Sequence, residues 1–109
     1  MDRSRIFSIV KKYILFKVPG YFECIDLFCR KLFGKSCVDL LIDEPEKFRE
    51  VLVNMYSGDT NSVYFIVKHL FLRPILIELN KLDTEEELAT LLLQNTQRFR
   101  ERLKQILEI

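Results

Sequence analysis

The chain has 109 residues, of which 49% are apolar and 30% are charged, and its formal net charge is +1. This length and composition predict one globular domain and exclude a disordered polypeptide. The net charge by itself gives no reason to expect polyanion binding, and no window contains the roughly 18 uninterrupted apolar residues of a membrane span.

Apolar residues recur at helical spacing in the first third of the chain. The spacing predicts an amphipathic helix over residues 5–17, ended by Pro19 and Gly20. A basic amphipathic helix of this kind can lie on an anionic membrane, but packing against a core is the favoured interpretation. A second helix is predicted over residues 21–33, with Asp26 and Arg30 spaced for an ion pair. Its predicted core stripe comprises Phe22, Ile25, Phe28 or Cys29, and Leu32.

The middle of the chain contains the clearest turn and cap signals. Gly34 and Ser36 predict the end of one helix and the cap of a short helix over residues 37–42. Asp43 followed by Pro45 predicts a helix over residues 44–56, because Asp43 can accept a hydrogen bond from a free amide and Pro45 lacks an amide. Gly58 predicts its end, since glycine readily adopts the left-handed conformation. The predicted core stripe of this helix comprises Phe48, Val51, Leu52 and Met55.

Residues 60–80 are ambiguous between helix and strand. Residues 63–67 have strand propensity, yet the flanking segments are helical and no second strand-like run lies nearby. We therefore expect a deeply buried helix from about 60 to 73, capped by Asp59 or Thr60. Pro74 is expected to end or kink this helix, with residues 75–79 forming a short further turn.

The last quarter of the chain predicts one long amphipathic helix over residues 85–107. Thr84 and Glu87 have the spacing of a capping box at its start. Asn95 and Arg102 interrupt the strict apolar spacing, so a sustained coiled coil is not expected. The predicted partner or oligomer face of this helix comprises Leu88, Leu92, Phe99, Leu103 and Ile106.

Together these elements predict an all-α, single-domain bundle of five or six helices over residues 1–109. We expect its core within residues 5–80 and the long C-terminal helix at about 84–108. The aromatic-rich stripes and the small domain size predict a homodimer or contact with another protein. The alternative is a monomer whose stripes make one core.

Charge is unevenly distributed along the chain. Lys and Arg dominate residues 1–35 and 91–109, whereas Asp and Glu dominate residues 36–90. We expect the basic ends to pack against the acidic middle, within one chain or between copies, and the alternative is two separate charged patches. Nucleic-acid binding by the basic ends is the second functional hypothesis, although the acidic segment 37–43 makes a poor recognition helix. Its candidate polyanion contacts are Lys11, Lys12, Arg98 and Arg102.

No group of residues predicts reaction chemistry. His69 is the only histidine, and Gly34-Lys35-Ser36 lacks the earlier glycine of a phosphate-binding loop. We therefore predict a non-enzymatic protein without metal or cofactor. The three cysteines do not have zinc-site spacing, so we expect each to be a small buried apolar residue. Their odd number and the absence of a secretory leader predict a cytoplasmic location. These cysteines are Cys24, Cys29 and Cys37.

The order of turns and caps around the middle of the chain follows a recognisable pattern. Its features are Leu32-Phe33-Gly34-Lys35-Ser36, Asp43-Glu44-Pro45-Glu46-Lys47-Phe48, Leu52, Tyr56-Ser57-Gly58, and Ile66 with Leu70-Phe71. This pattern resembles a small archaeal family of helical output domains, the nitrosopumilus output type, over about half of the chain. The resemblance implies a regulatory or signalling module without enzymatic activity. The N-terminal helix and the segment after Pro74 lie outside it.

Overall fold

Seven helices and no strand make up the computed structural model, which describes all 109 residues. The all-α prediction is confirmed, and residues 63–67 are helical. A short 3₁₀ turn, Leu82–Thr84, precedes the sixth helix. The helices are α1 (Arg3–Lys17), α2 (Tyr21–Phe33), α3 (Cys37–Asp43), α4 (Pro45–Met55), α5 (the contiguous segments Thr60–Ile66, Val67–Leu72 and Arg73–Glu78), α6 (Glu85–Gln94) and α7 (Thr96–Leu107).

The prediction of one long C-terminal helix is wrong, because the chain breaks at Asn95 into two helices, α6 and α7. The backbone of Asn95 is extended, and its side-chain oxygen accepts a hydrogen bond from the amide of Arg98 at 3.2 Å. An asparagine in this position caps a new helix and interrupts the previous one. The break allows α6 to pack on α4 and α5 while α7 packs on α3 and α4. It also accounts for the difference between seven helices and the predicted five or six.

Helix α5 continues through Pro74 instead of ending there. The segment Val67–Leu72, immediately before the proline, is π-helical. Proline lacks an amide donor, and its ring would clash with the carbonyl four residues earlier in a regular α-helix. A π-helical turn is wider and shifts the hydrogen bonds to the fifth residue, which relieves that conflict and keeps the apolar face of α5 continuous.

Two predicted caps are confirmed. The hydroxyl of Ser36 accepts a hydrogen bond from the amide of Asp39 at 3.1 Å, and Asp59 accepts hydrogen bonds from the amides at the start of α5. Gly58 has a φ of 85°, in the left-handed region predicted for it, and Gly34, predicted to end α2, also lies in that region with a φ of 72°. These signals involve neighbouring residues only, which explains why local sequence sufficed to find them.

Two other predicted caps are wrong. Glu44, not Asp43, precedes the first turn of α4, and it makes no side-chain cap there. The carboxylate of Asp43 instead binds Arg3, far away in sequence. Thr84 does not cap α6 either, because its hydroxyl donates a hydrogen bond to the carbonyl of Lys81 at 2.8 Å. In both places a competing partner holds the side chain away from the free amides.

The core is one cluster of 28 buried residues to which all seven helices contribute. Helices α6 and α7 supply a quarter of it, so a core confined to residues 5–80 is too small. Phe48 and Phe71 within this cluster meet edge to face, with ring centroids 5.0 Å apart. The contribution of the last two helices comprises Leu88, Ala89, Leu92, Phe99, Leu103, Ile106 and Leu107.

The basic ends pack against the acidic middle within a single chain, as predicted. Six of the nine ion pairs join an end to the middle. They are Arg3–Asp39, Arg3–Asp43, Arg5–Glu78, Lys35–Glu44, Arg102–Glu87 and Lys104–Asp43. Exposed pairs contribute at most about 1 kcal/mol each, so their main effect is to orient α1 and α7 on the bundle.

Candidate functional site

The predicted partner face on the C-terminal helix lies inside the protein. Its five residues are all buried within the chain's own core, so they offer no surface to a partner. The physical reason is the break at Asn95, which turns α6 and α7 onto the bundle instead of letting one helix project. The buried residues are Leu88, Leu92, Phe99, Leu103 and Ile106.

The four candidate polyanion contacts do not form one basic strip. Lys11 lies over the Phe7 ring, 5.9 Å from its centroid, in a groove that also contains carboxylates of α2. Lys12 is exposed on α1. Arg98 and Arg102 line a separate polar groove on α7, and Arg102 is 3.5 Å from the carboxylate of Glu87.

The three cysteines occupy two environments. Cys29 and Cys37 are buried as predicted, and burial raises the pKa of the Cys29 thiol to about 12. Cys24 is exposed on α2, so the prediction that it is buried is wrong. No group of three or more His, Cys, Asp or Glu side chains is arranged to hold a metal ion.

His69 lies at the rim of the core on the π-helical part of α5. Its ring is 4.5 Å from that of Phe65, and burial together with the Arg73 guanidinium lowers the pKa of His69. The surface groove at His69, between α1 and α5, contains neither a cysteine nor a carboxylate.

The outer face of α2 is unexpectedly apolar. Leu27, Phe28 and Leu32 are 60%, 42% and 56% exposed, although the sequence pattern placed Leu32 in the core stripe. The core contacts of α2 come from Phe22, Ile25 and Cys29. A signal for this face was present, since nine of the thirteen residues in α2 are apolar and one helical stripe cannot bury them all.

An apolar groove of about 280 Å³ lies between α2 and α4, beside this face. Asn54 is its only polar lining residue. The hydroxyls of Tyr21 and Tyr56 share a hydrogen bond that joins the first residue of α2 to the end of α4. The other lining residues are Phe28, Leu32, Val51 and Met55.

This groove, together with the exposed side chain of Leu27 next to Phe28 on the outer face of α2, is hereafter the α2–α4 surface. Leu27 also lines a second groove, between α1 and α2, that contains Phe7 and Lys11. Large exposed apolar patches on small proteins mark sites of interaction with other molecules. None of the seven helices combines the length and the apolar character required to cross a lipid bilayer.

Comparison of the chain with protein-family models, with curated proteins and with solved structures found no match. The resemblance to the output-domain family therefore stays a prediction.

Proposed function

We propose that this protein is a non-enzymatic helical interaction module that forms a homodimer through the α2–α4 surface. The observation that carries the proposal is the combination, on one helix, of an exposed apolar ridge and an adjoining apolar groove. Leu27 forms the ridge, whereas Phe28 and Leu32 line the groove toward α4. A surface that has both a ridge and a groove can pair with a second copy of itself about a two-fold axis, because the ridge of each copy can enter the groove of the other.

Charges at the rim support a second copy as the occupant. Lys31 directly precedes Leu32 on α2, and Glu50 directly precedes Val51 on α4, so each helix carries one exposed charge next to a residue of the groove. Neither side chain makes an ion pair within the chain. Two-fold pairing of the ridge with the groove brings Lys31 of one copy toward Glu50 of the other.

The regulatory role and the location belong to the same proposal. The resemblance to the output-domain family supports a regulatory or signalling role. The odd number of cysteines, all of them free thiols, supports the cytoplasm as the location.

Light scattering coupled to size exclusion tests the dimer. At tens of micromolar, the wild-type chain is expected to have twice its single-chain mass, and Leu32→Arg is expected to have the single-chain mass because it places a charge in the apolar contact. Ile77→Arg is the matched control, since Ile77 is an equally exposed apolar residue on α5. A single-chain mass for the wild type, or a dimer of Leu32→Arg, would show the proposal to be wrong.

Charge reversal tests the arrangement of the two copies. Lys31→Glu and Glu50→Lys are each expected to weaken dimerisation, because each places like charges across the interface. The double variant restores opposite charges and is expected to recover most of the wild-type dimer. Failure of the double variant to recover would reject this pairing, while a salt-sensitive retention of the wild type on immobilised DNA would favour the nucleic-acid hypothesis instead.

A further inference from the structure

The end of α1 presents the most exposed large apolar side chain of the protein. Phe16 is 83% exposed, and its neighbours Leu15 and Val18 are 49% and 42% exposed. They project from the last turn of α1 and the turn after it, where no groove surrounds Phe16. An apolar ring that projects outward without lining a groove is suited to insertion into a lipid layer.

A second phenylalanine belongs to the same surface. Phe65 of α5 is 58% exposed and lines the α1–α5 groove together with Lys17 and His69. Lys17 connects Phe16 to this groove, because its Nζ atom is 5.8 Å from the Phe16 centroid and its side chain lines the groove beside Phe65. The end of α1 and the first half of α5 therefore form one surface.

The charges of this surface are almost all positive. Lys12 lies one helical turn before Phe16, and Lys68 lies three residues after Phe65. Neither lysine makes an ion pair, nor does Lys17. No carboxylate lines the groove, and Arg73, which does line it, is bound to the buried carboxylate of Glu85.

We propose that this surface, hereafter the Phe16 surface, binds the face of an anionic lipid membrane. Phe16 and Phe65 would enter the boundary between headgroups and acyl chains, while the lysines remain at the level of the phosphates and extend their apolar stems along the rings. Anionic headgroups supply the negative charge that Lys12, Lys17 and Lys68 lack within the chain. The Phe16 surface is separate from the α2–α4 surface, because Phe28 and Leu32 lie in the opposite half of α2 from its junction with α1.

Vesicle co-sedimentation tests the proposal on the full chain. We expect binding to phosphatidylcholine vesicles containing about 30% phosphatidylserine, weaker binding at higher salt, and little binding to phosphatidylcholine alone. The double variant Phe16→Ser/Phe65→Ser is expected to lose at least about fivefold in bound fraction, and so is Lys12→Glu/Lys17→Glu. All four positions are partly or fully exposed on helices, so circular dichroism should show unchanged helix content.

Two control variants test whether vesicle binding requires the Phe16 surface or only an exposed apolar or basic residue anywhere on the protein. Ile77→Ser removes an exposed apolar residue elsewhere on α5, and Lys81→Glu reverses an exposed lysine that makes no ion pair. Both controls are expected to bind anionic vesicles as the wild type does. Absence of vesicle binding, equal binding to neutral vesicles, or undiminished binding by the paired variants would overturn the proposal. Binding of a soluble poly-glutamate peptide without vesicle binding would overturn it in favour of an acidic protein partner.

Discussion

Asp43 connects both ends of the chain to its middle. Its carboxylate accepts two hydrogen bonds from the Arg3 guanidinium, at 2.6 and 2.7 Å, and lies 3.4 Å from Nζ of Lys104. Arg100 also donates a hydrogen bond to the Asp43 carbonyl at 3.0 Å. The Arg3 hydrogen bonds, followed by smaller effects of Lys104, hold the pKa of Asp43 below its usual value. One side chain thereby joins α1, α3 and α7.

Asp43→Asn is expected to lower the free energy of unfolding by about 1 kcal/mol at pH 7, because it removes a charged partner from Arg3 in a partly exposed position. The folded pKa of Asp43 is depressed, so its contribution is complete above the unfolded pKa of about 3.9 and disappears as the pH falls through the folded value. Urea unfolding of both proteins at pH 7 and near pH 2 measures this difference.

Asp83→Asn is the control for the Asp43 experiment, since Asp83 is exposed and makes no ion pair. It should leave stability nearly unchanged at both pH values. A wild-type advantage over Asp43→Asn that is as large in acid as at neutral pH would contradict the assigned role of the carboxylate.

Helices α5 and α6 are joined by a charged contact at the edge of the core. Glu85, the first residue of α6, is buried, and its two carboxylate oxygens accept hydrogen bonds from Arg73 at 2.9 and 2.7 Å. Arg73 begins the last part of α5, directly after the π-helical segment. The two-pronged contact sets how α6 leaves the 3₁₀ turn and packs back on α5.

Arg73→Met is expected to lower the free energy of unfolding by about 2 kcal/mol, because it leaves the Glu85 carboxylate buried without a cation. Chemical denaturation at neutral pH measures the loss. The double variant Arg73→Met/Glu85→Gln removes the buried charge and should recover part of it. Glu85→Gln alone completes the comparison. If the double variant loses as much stability as Arg73→Met and Glu85→Gln lose together, the two side chains are not coupled.

At the scale of the whole molecule, no helix stands apart from the others. The radius of gyration is 12.5 Å, close to the value of about 13 Å expected for a compact domain of this length. One cluster of buried residues runs through all seven helices, and the amino group of Met1 donates a hydrogen bond to the Leu107 carbonyl at 3.1 Å. The two ends of the chain therefore belong to the same packed unit.

The shared core predicts a single cooperative unfolding transition, with coincident curves from circular dichroism and tyrosine fluorescence. A chain that ends after Gln94 is expected to lose this transition, because it lacks the buried α7 residues Phe99, Leu103 and Ile106. Removing only Glu108 and Ile109, which are exposed, is the control and should leave the transition in place. Separate melting of α6 and α7, or cooperative folding of the shorter chain, would contradict a shared core.

Predictions from the sequence succeeded where the physics is local. Helix content and the caps at Ser36 and Asp59 depend on residues a few positions apart, and so do the left-handed glycines, Gly34 and Gly58. The expected cap at Asp43 failed because Arg3, 40 positions away, binds that carboxylate. The interrupted apolar spacing at Asn95 is a local signal of a helix break as well as an argument against a coiled coil.

The sequence alone determined that this protein is a set of amphipathic helices, because hydrogen bonds and side-chain spacing within a helix involve only near neighbours. Only the tertiary structure decided which apolar faces are covered. The stripe through Leu92 and Phe99 became core, whereas Leu27 and Phe16 stayed exposed. Covering a face depends on contacts between segments far apart in the chain, and the apolar periodicity of each segment is the same whether its partner is another helix, a second copy or a membrane.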